Sequence, residues 1–218
     1  EFYTGVEWRK VNSFVDMSGS GSRGYIAGGY NGNTIRTIDL IYTSTLGNAV
    51  EFGVPVDDGV KHNAARASSR TRGFTLTGST SPGNQNTITY FTLSTSGTAE
   101  DFGDATFADS GGAGLASATR AVQAEGDNST KAMDYIEMST KGNAIDFGDR
   151  YIATDELGAV SSPTRGLFCG GGAPSGTNAK DQIEKITISS TGASIHFGDL
   201  TQTRGQLGGG VSSGTRGI

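Results

Sequence analysis

Several strings in this chain carry residue types that perform chemistry elsewhere. The segment "GVSSG" (210–214) has the G-x-S-x-G spacing in which a sharp strand-to-helix turn presents a nucleophilic serine. The segment "GSGSRG" (19–24) has the G-x-G-x-x-G spacing that lets backbone N–H groups approach a pyrophosphate. "DFG" stands at 101–103 and 146–148, and "VDDG" (56–59) offers two adjacent carboxylates to a calcium ion. Each string lacks the context its chemistry needs. No helical period follows either glycine string, no other kinase element accompanies "DFG", and one acidic turn is too few ligands. The only histidines, His62 and His196, fall in different parts of the chain, whereas a metal site needs several converging ligands. Cys169, the single cysteine, sits in an apolar strand pattern and reads as a small core residue, and it excludes an internal disulfide. The expectation is a protein that is not an enzyme and carries no cofactor and no metal.

What places these strings is an internal repeat, the feature to seek first. The phrase "AIDFGDR" (144–150) recurs as "AVEFGVP" from 49, "AEDFGDA" from 99 and "SIHFGDL" from 194. Its aromatics, Phe52, Phe102, Phe147 and Phe197, are spaced by 50, 45 and 50 residues. Five residues before each stands a glycine (Gly47, Gly97, Gly142, Gly192), the residue for a tight turn. A second phrase, "SRG", "TRG" or "TRA", places Arg23, Arg72, Arg120, Arg165 and Arg216. Runs of small residues precede it, as in "GGAGLAS" (111–117) and "LGGGVSS" (207–213). Between the two phrases lie alternating segments: "RTIDLIYT" (36–43), "NTITYFTL" (86–93), "AMDYIEM" (132–138) and "DQIEKITI" (181–188). Period-two alternation with β-branched residues predicts strands. Each period therefore reads as four short antiparallel strands, the first small-residue rich and the fourth carrying the Phe.

Four-stranded units of about 45–50 residues are the pattern of β-propeller blades, stacked so that each buries its neighbour's face. The small-residue strand is expected nearest the axis, where blades crowd. Trp8 in "EFYTGVEWRKV" (1–11) stands 44 residues before Phe52, at the aromatic position, and "QLGGGVSSGTRGI" reads as the first two strands of a unit. Joining the two ends predicts one all-β domain over 1–218. It would have five blades, at about 12–57, 58–106, 107–151 and 152–202, with 1–11 plus 206–218 as the closing blade. Such closure removes exposed sheet edges.

Composition agrees. Glycine makes up 35 of the 218 residues, about twice the usual ~7 %. A net charge of −5 argues against nucleic acid, and no apolar run approaches the ~20 residues of a membrane span.

The repeat resembles kelch repeats, which end their second strand in a glycine doublet, here Gly28–Gly29 and Gly170–Gly172, and place an aromatic on the fourth. Units two and three depart, with "TLTGS" and "VQAEGD" in place of the doublet. A closer resemblance is to repeat proteins of tailed bacteriophages, marine and cyanobacterial ones above all, built as strings of "TRG–FGGG–TIDYI–TGNA–DFGDL" units. That resemblance implies a virion structural protein, on an extracellular particle, at the tip of a tail fibre or appendage. Its implied partners are other virion proteins and a host-surface glycan or protein, and fibre proteins of this kind are commonly homo-oligomers. "FYTGVEWRKV" also resembles the hairpin that ends a fibre stem, and on that reading the chain is a tip domain of something longer. The alternatives are a capsid or tail decoration protein without a receptor role, and a secreted kelch-like carbohydrate-binding protein or enzyme.

Residues present in every unit serve the frame; function lies where units differ. The five arginines are accordingly expected to pair with the aspartates after "FG" (Asp104, Asp149, Asp199) rather than to ring an anion. From each Arg to the next Phe the count ranges over 27–32 residues, while from Phe to the next Arg it is 18–20. The variable connections are "YNGNT" (30–34), "STSPGNQN" (79–86), "GDNSTK" (126–131) and "APSGTNAK" (173–180). They supply the candidate binding residues: Tyr30, Asn31 and Asn33; Asn84, Gln85 and Asn86; Asp127 and Asn128; Ser175 and Asn178.

Overall fold

The computed structural model describes residues 2–3, 8–9, 23–31, 35, 37–54, 61, 63–80, 83–95, 97–126, 130–172, 178–212 and 216–218. Among these the chain is all-β, with no helix. A hairpin of β1 (Phe2–Tyr3) and β2 (Trp8–Arg9) comes first. Unit 1 is the three-stranded sheet β3 (Arg23–Ala27), β4 (Ile38–Tyr42) and β5 (Val50–Gly53). Unit 2 contains β6 (Arg66–Ser68), β7 (Arg72–Thr75), β8 (Gly78–Ser79), β9 (Asn84–Thr92) and β10 (Glu100–Asp109). Unit 3 is β11 (Ala113–Ala116), β12 (Arg120–Ala124), β13 (Ala132–Glu137) and β14 (Ile145–Asp149). Unit 4 is β15 (Gly158–Ser161), β16 (Arg165–Cys169), β17 (Lys180–Thr187) and β18 (Ile195–Arg204). All pairings are antiparallel, and units 3 and 4 are simple four-stranded meanders.

The first two strands of a unit meet at a serine-capped turn. Ser69, Ser117 and Ser162 accept the N–H of Arg72, Arg120 and Arg165 on Oγ, each at 3.1 Å. The fourth strand carries the repeated phrase, and there the ladder breaks register. The pairing skips Phe52, Phe102, Phe147 and Phe197 in turn, a β-bulge at each. In units 2 and 3 the residue before the Phe closes the bulge: Asp101 and Asp146 Oδ1 accept the N–H of Gly103 and Gly148 at 3.1 Å. "DFG" is therefore the string that forms the bulge of the fourth strand.

The core lies between units. Phe52 packs with Ile38 and Leu40 of its own unit and with Phe91 and Ala99 of the next. Phe102 joins Phe74, Ile88 and Tyr90 to Ala121, Ile136 and Met138 of unit 3. Phe147 joins Val122 and Met133 to Phe168, Ile186 and Ile188 of unit 4. The small-residue strands also abut: a Cβ on Gly114 would lie 2.4 Å from Arg66 O in the preceding unit. Residues 206–212 and 216–218 lie beside unit 4. Leu207 N–H reaches Glu156 O at 2.8 Å, Val211 and Ile218 exchange backbone bonds, and Ser161 N–H donates to Ser212 Oγ at 3.3 Å. Among the described residues, no strand pairing joins unit 1 to unit 4 or to 206–218.

Candidate functional site

The repeated residues converge on the seams between units. The carbonyls of Phe52, Phe102 and Phe147 accept from Gly97, Gly142 and Gly192 of the following unit, at 3.3, 2.9 and 2.7 Å. Two residues on, Val54, Asp104 and Asp149 carbonyls accept from Ala99, Ala144 and Ser194, at 2.9, 2.8 and 2.9 Å. The glycine after each Phe makes this possible. A Cβ on Gly53, Gly103 or Gly148 would come within 1.9, 2.4 or 2.7 Å of the neighbour's backbone. In three of its four copies the phrase is thus the contact by which one unit docks on the next.

The arginines correct an expectation. Arg23, Arg72 and Arg120 do not take the aspartates after "FG" as partners. Their guanidinium Nη1 atoms donate to carbonyls of the next unit: Leu93 at 3.2 Å, Met138 at 2.8 Å and Ser189 at 2.9 Å. Each also lies over a tyrosine ring of its own unit, Tyr42, Tyr90 and Tyr135, at 5.8, 4.8 and 4.5 Å from the centroid. Arg120 Nε additionally pairs with Glu137 at 2.5 Å. The reason is reach: from β3, β7 and β12 the side chains extend across the seam to backbone acceptors of the next unit. Arg165 and Arg216 are exposed. At the position of Tyr90 and Tyr135, twelve residues before the Phe, unit 4 holds Lys185.

A third seam element escapes sequence reasoning. Thirteen residues before the Phe, Asp134 and Glu184 reach back to the preceding unit. Asp134 Oδ2 accepts Thr106 N–H at 2.8 Å and Thr106 Oγ1–H at 3.0 Å. Glu184 Oε2 accepts Tyr151 N–H at 2.8 Å and Ser194 Oγ–H at 2.5 Å. Burial pushes the Asp134 carboxyl up, against the Thr106 bonds that pull it down. The signal was the acid inside the alternating segments "IDL", "MDY" and "IEK". Two buried cations were also missed. Lys61 is 2 % exposed, and desolvation lowers its ammonium to about 8, opposed by Asp104; its Nζ donates to Thr87 O. Arg150, equally buried, donates to Thr154 Oγ1 and O at 3.0 and 2.7 Å.

A space of about 1230 Å³ is bordered by Tyr25 of unit 1, Ser68 of unit 2, Ala116 of unit 3, Ser161 of unit 4 and Ser212 after it. Its lining mixes serine hydroxyls with the arginines Arg23, Arg66 and Arg70 and with apolar side chains such as Phe74 and Leu115. Among the described residues, no three His, Cys, Asp or Glu side chains converge to hold a metal ion. His62 lies outside the described residues; His196 is half exposed, 3.9 Å from Asp199. Cys169 is half-buried, with its thiol pushed up by burial and then by Glu184.

Of the candidate binding residues, Tyr30 and Asn31 are exposed, and Asn178 is exposed with φ +57°. Asn84, Gln85 and Asn86 are not loop residues. They open β9, half-buried, with Asn84 opposite Ser79 and Gln85 opposite Gly78, because β8 pairs with β9, Thr80 N–H donating to Gly83 O, and extends the strand. Asn33, Asp127, Asn128 and Ser175 lie outside the described residues. Trp8 forms a backbone pair with Tyr3. Comparison with protein-family models and with curated proteins finds no match.

Proposed function

We propose that the chain is a kelch-like β-propeller of five units serving as a bacteriophage virion structural protein, the tip of a tail fibre or appendage that displays polar loops to the host surface. One observation carries this reading. The Phe and glycines repeated along the chain are spent on the seams, so the frame is constant, while the second-to-third-strand connections differ in length and sequence. The five-unit axis is supported by the central space, which five consecutive units line. Rigid display of several weak polar contacts gives useful adhesion only through multivalency.

The test compares the chain on multivalent beads with the same beads carrying the triple variant Tyr30→Ala, Asn31→Ala, Asn178→Ala, on bacterial cells and on a glycan array. The wild type is expected to bind and the variant to lose tenfold or more. Equal binding by both sinks the loop assignment. Antibody to the chain is expected to decorate tailed particles in the electron microscope; labelling of the capsid alone would instead favour a decoration protein. Class averages of the isolated protein are expected to show a disc of five lobes.

A further inference from the structure

Two arginines of unit 2 break the repeat. The capping serines Ser69, Ser117 and Ser162 set the register between units 2, 3 and 4. Three residues before them stand Arg66, Gly114 and Ala159, and one residue after them stand Arg70, Ala118 and Pro163. Small or uncharged residues are thus the rule where the first strands approach one another, and unit 2 alone of these three puts a cation at each place. Ala67 packs into the core between units 2 and 3, so period-two alternation turns Arg66 and Ser68 to the opposite face of β6. Both arginines are exposed, and both border the 1230 Å³ space.

Arg66 is only partly engaged by the frame. Its Nη2 donates to Ala27 O at 2.9 Å and Lys61 O at 3.4 Å, and its Nη1 to Ala64 O at 3.4 Å. These acceptors are neutral carbonyls, and two of the five guanidinium N–H groups have no described acceptor. Desolvation lowers its proton affinity, and no carboxylate opposes that effect. Arg70 makes no hydrogen bond or ion pair among the described residues. The chain has 22 Asp and Glu against 17 Lys and Arg, yet no carboxylate side chain stands among the described residues that border the space. Glu156 borders the smaller space beyond Arg66 and does not pair with it. A cleft lined by one sign of charge focuses its field on ions of the other sign, and a desolvated guanidinium gains most from an anionic acceptor. We propose that this space is a binding site for a small oxyanion-bearing ligand, its carboxylate, sulfate or phosphate group held by Arg66 and Arg70 with Ser68 beside them. The site goes beyond the display of polar loops and needs neither those loops nor the count of units, because it rests on the described border alone.

Isothermal titration tests the site with three anionic probes, inorganic phosphate, a heparin disaccharide and trigalacturonate, and with neutral maltotriose as the control. The proteins are the 1–218 chain and its variants Arg70→Gln, Arg66→Gln and Arg165→Gln, with the melting temperature of each recorded. Arg165 is exposed but does not border the space, so it controls for general charge. The wild type is expected to bind an anionic probe more tightly than maltotriose, with an affinity that falls as salt rises. Arg70→Gln and Arg66→Gln are each expected to weaken binding about tenfold or more, the loss of one charge-assisted contact. Arg165→Gln is expected to bind as the wild type does. Arg70→Gln is expected to keep the wild-type melting temperature, because Arg70 has no described partner to lose. Phosphate bound as tightly as either saccharide assigns the site to a free anion; a tighter saccharide assigns it to an acidic glycan. Failure of the wild type to bind any anionic probe, equal affinity for maltotriose, or an equal loss in Arg165→Gln overturns the proposal. Undiminished binding by Arg70→Gln overturns it too, and a loss confined to Arg66→Gln with a lowered melting temperature would leave Arg66 a seam residue holding Ala27 O.

Discussion

Replacing Arg120 by alanine tests whether the seams hold the units together through backbone acceptors. Arg120 Nη1 donates to Ser189 O at 2.9 Å and, longer, to Ile188 O at 3.5 Å, its guanidinium lies over Tyr135 at 4.5 Å, and its Nε pairs with the half-exposed Glu137. A hydrogen bond to a charged donor contributes about 1.5–3 kcal/mol. The cation–π contact adds about 0.5–1 kcal/mol at a partly exposed site, and the Glu137 pair about 0–1 kcal/mol. Ser189 O can turn to water once the side chain is gone, so the lower ends apply and the sum is about 2–3 kcal/mol. For a chain of this size that is a fall in melting temperature of about 4–12 °C. Arg120→Lys keeps the charge but loses the planar fork, and should recover less than half of the difference. Asp149→Ala, exposed and outside the Arg120 contacts, should cost no more than about 0.5 kcal/mol. Urea unfolding of the three variants and of the Arg120→Ala, Asp149→Ala double variant provides the measurement. A cost for Asp149→Ala equal to that of Arg120→Ala, with strong coupling between them, would refute the carbonyl seam and restore an arginine–aspartate pair.

Two further perturbations follow from burial. Lys61 titrates at about 8 in the folded chain and near 10.5 when unfolded, so between these values the unfolded state binds more protons and stability rises with pH. The wild type should therefore gain up to about 3 kcal/mol relative to Lys61→Met from pH 8 to 10.5, read from urea midpoints at each pH; a constant difference would show that Lys61 does not titrate there. Phe147→Ala removes a fully buried ring shared by units 3 and 4 and should cost about 3–5 kcal/mol by the same assay. A cost under about 1 kcal/mol would mean that the seam is not the core.

Much of the frame is legible in the residues alone, because strands, turns and bulges are local. Period-two alternation marked the third strands, serine and glycine marked the turns, and the recurrence of "FG" announced four equivalent strands. The seams were not legible, for a definite reason. The acceptors of Arg23, Arg72 and Arg120 are backbone carbonyls 66–70 residues away, and a carbonyl carries no residue identity. The aspartates were visible in the sequence, so they attracted an assignment that the folded chain gives to atoms common to every residue. The buried Lys61 reads in one dimension like any surface lysine, and Asn84–Asn86 read like a loop until a side hairpin drew them into β9. Phe147 and Phe197 show the division most plainly. Their local sequences prescribe the same bulge, yet one ring is 2 % exposed and the other 53 %. Sequence alone determined the unit; tertiary structure decided which faces are covered, because burial depends on what stands next to a unit and not on what the unit is.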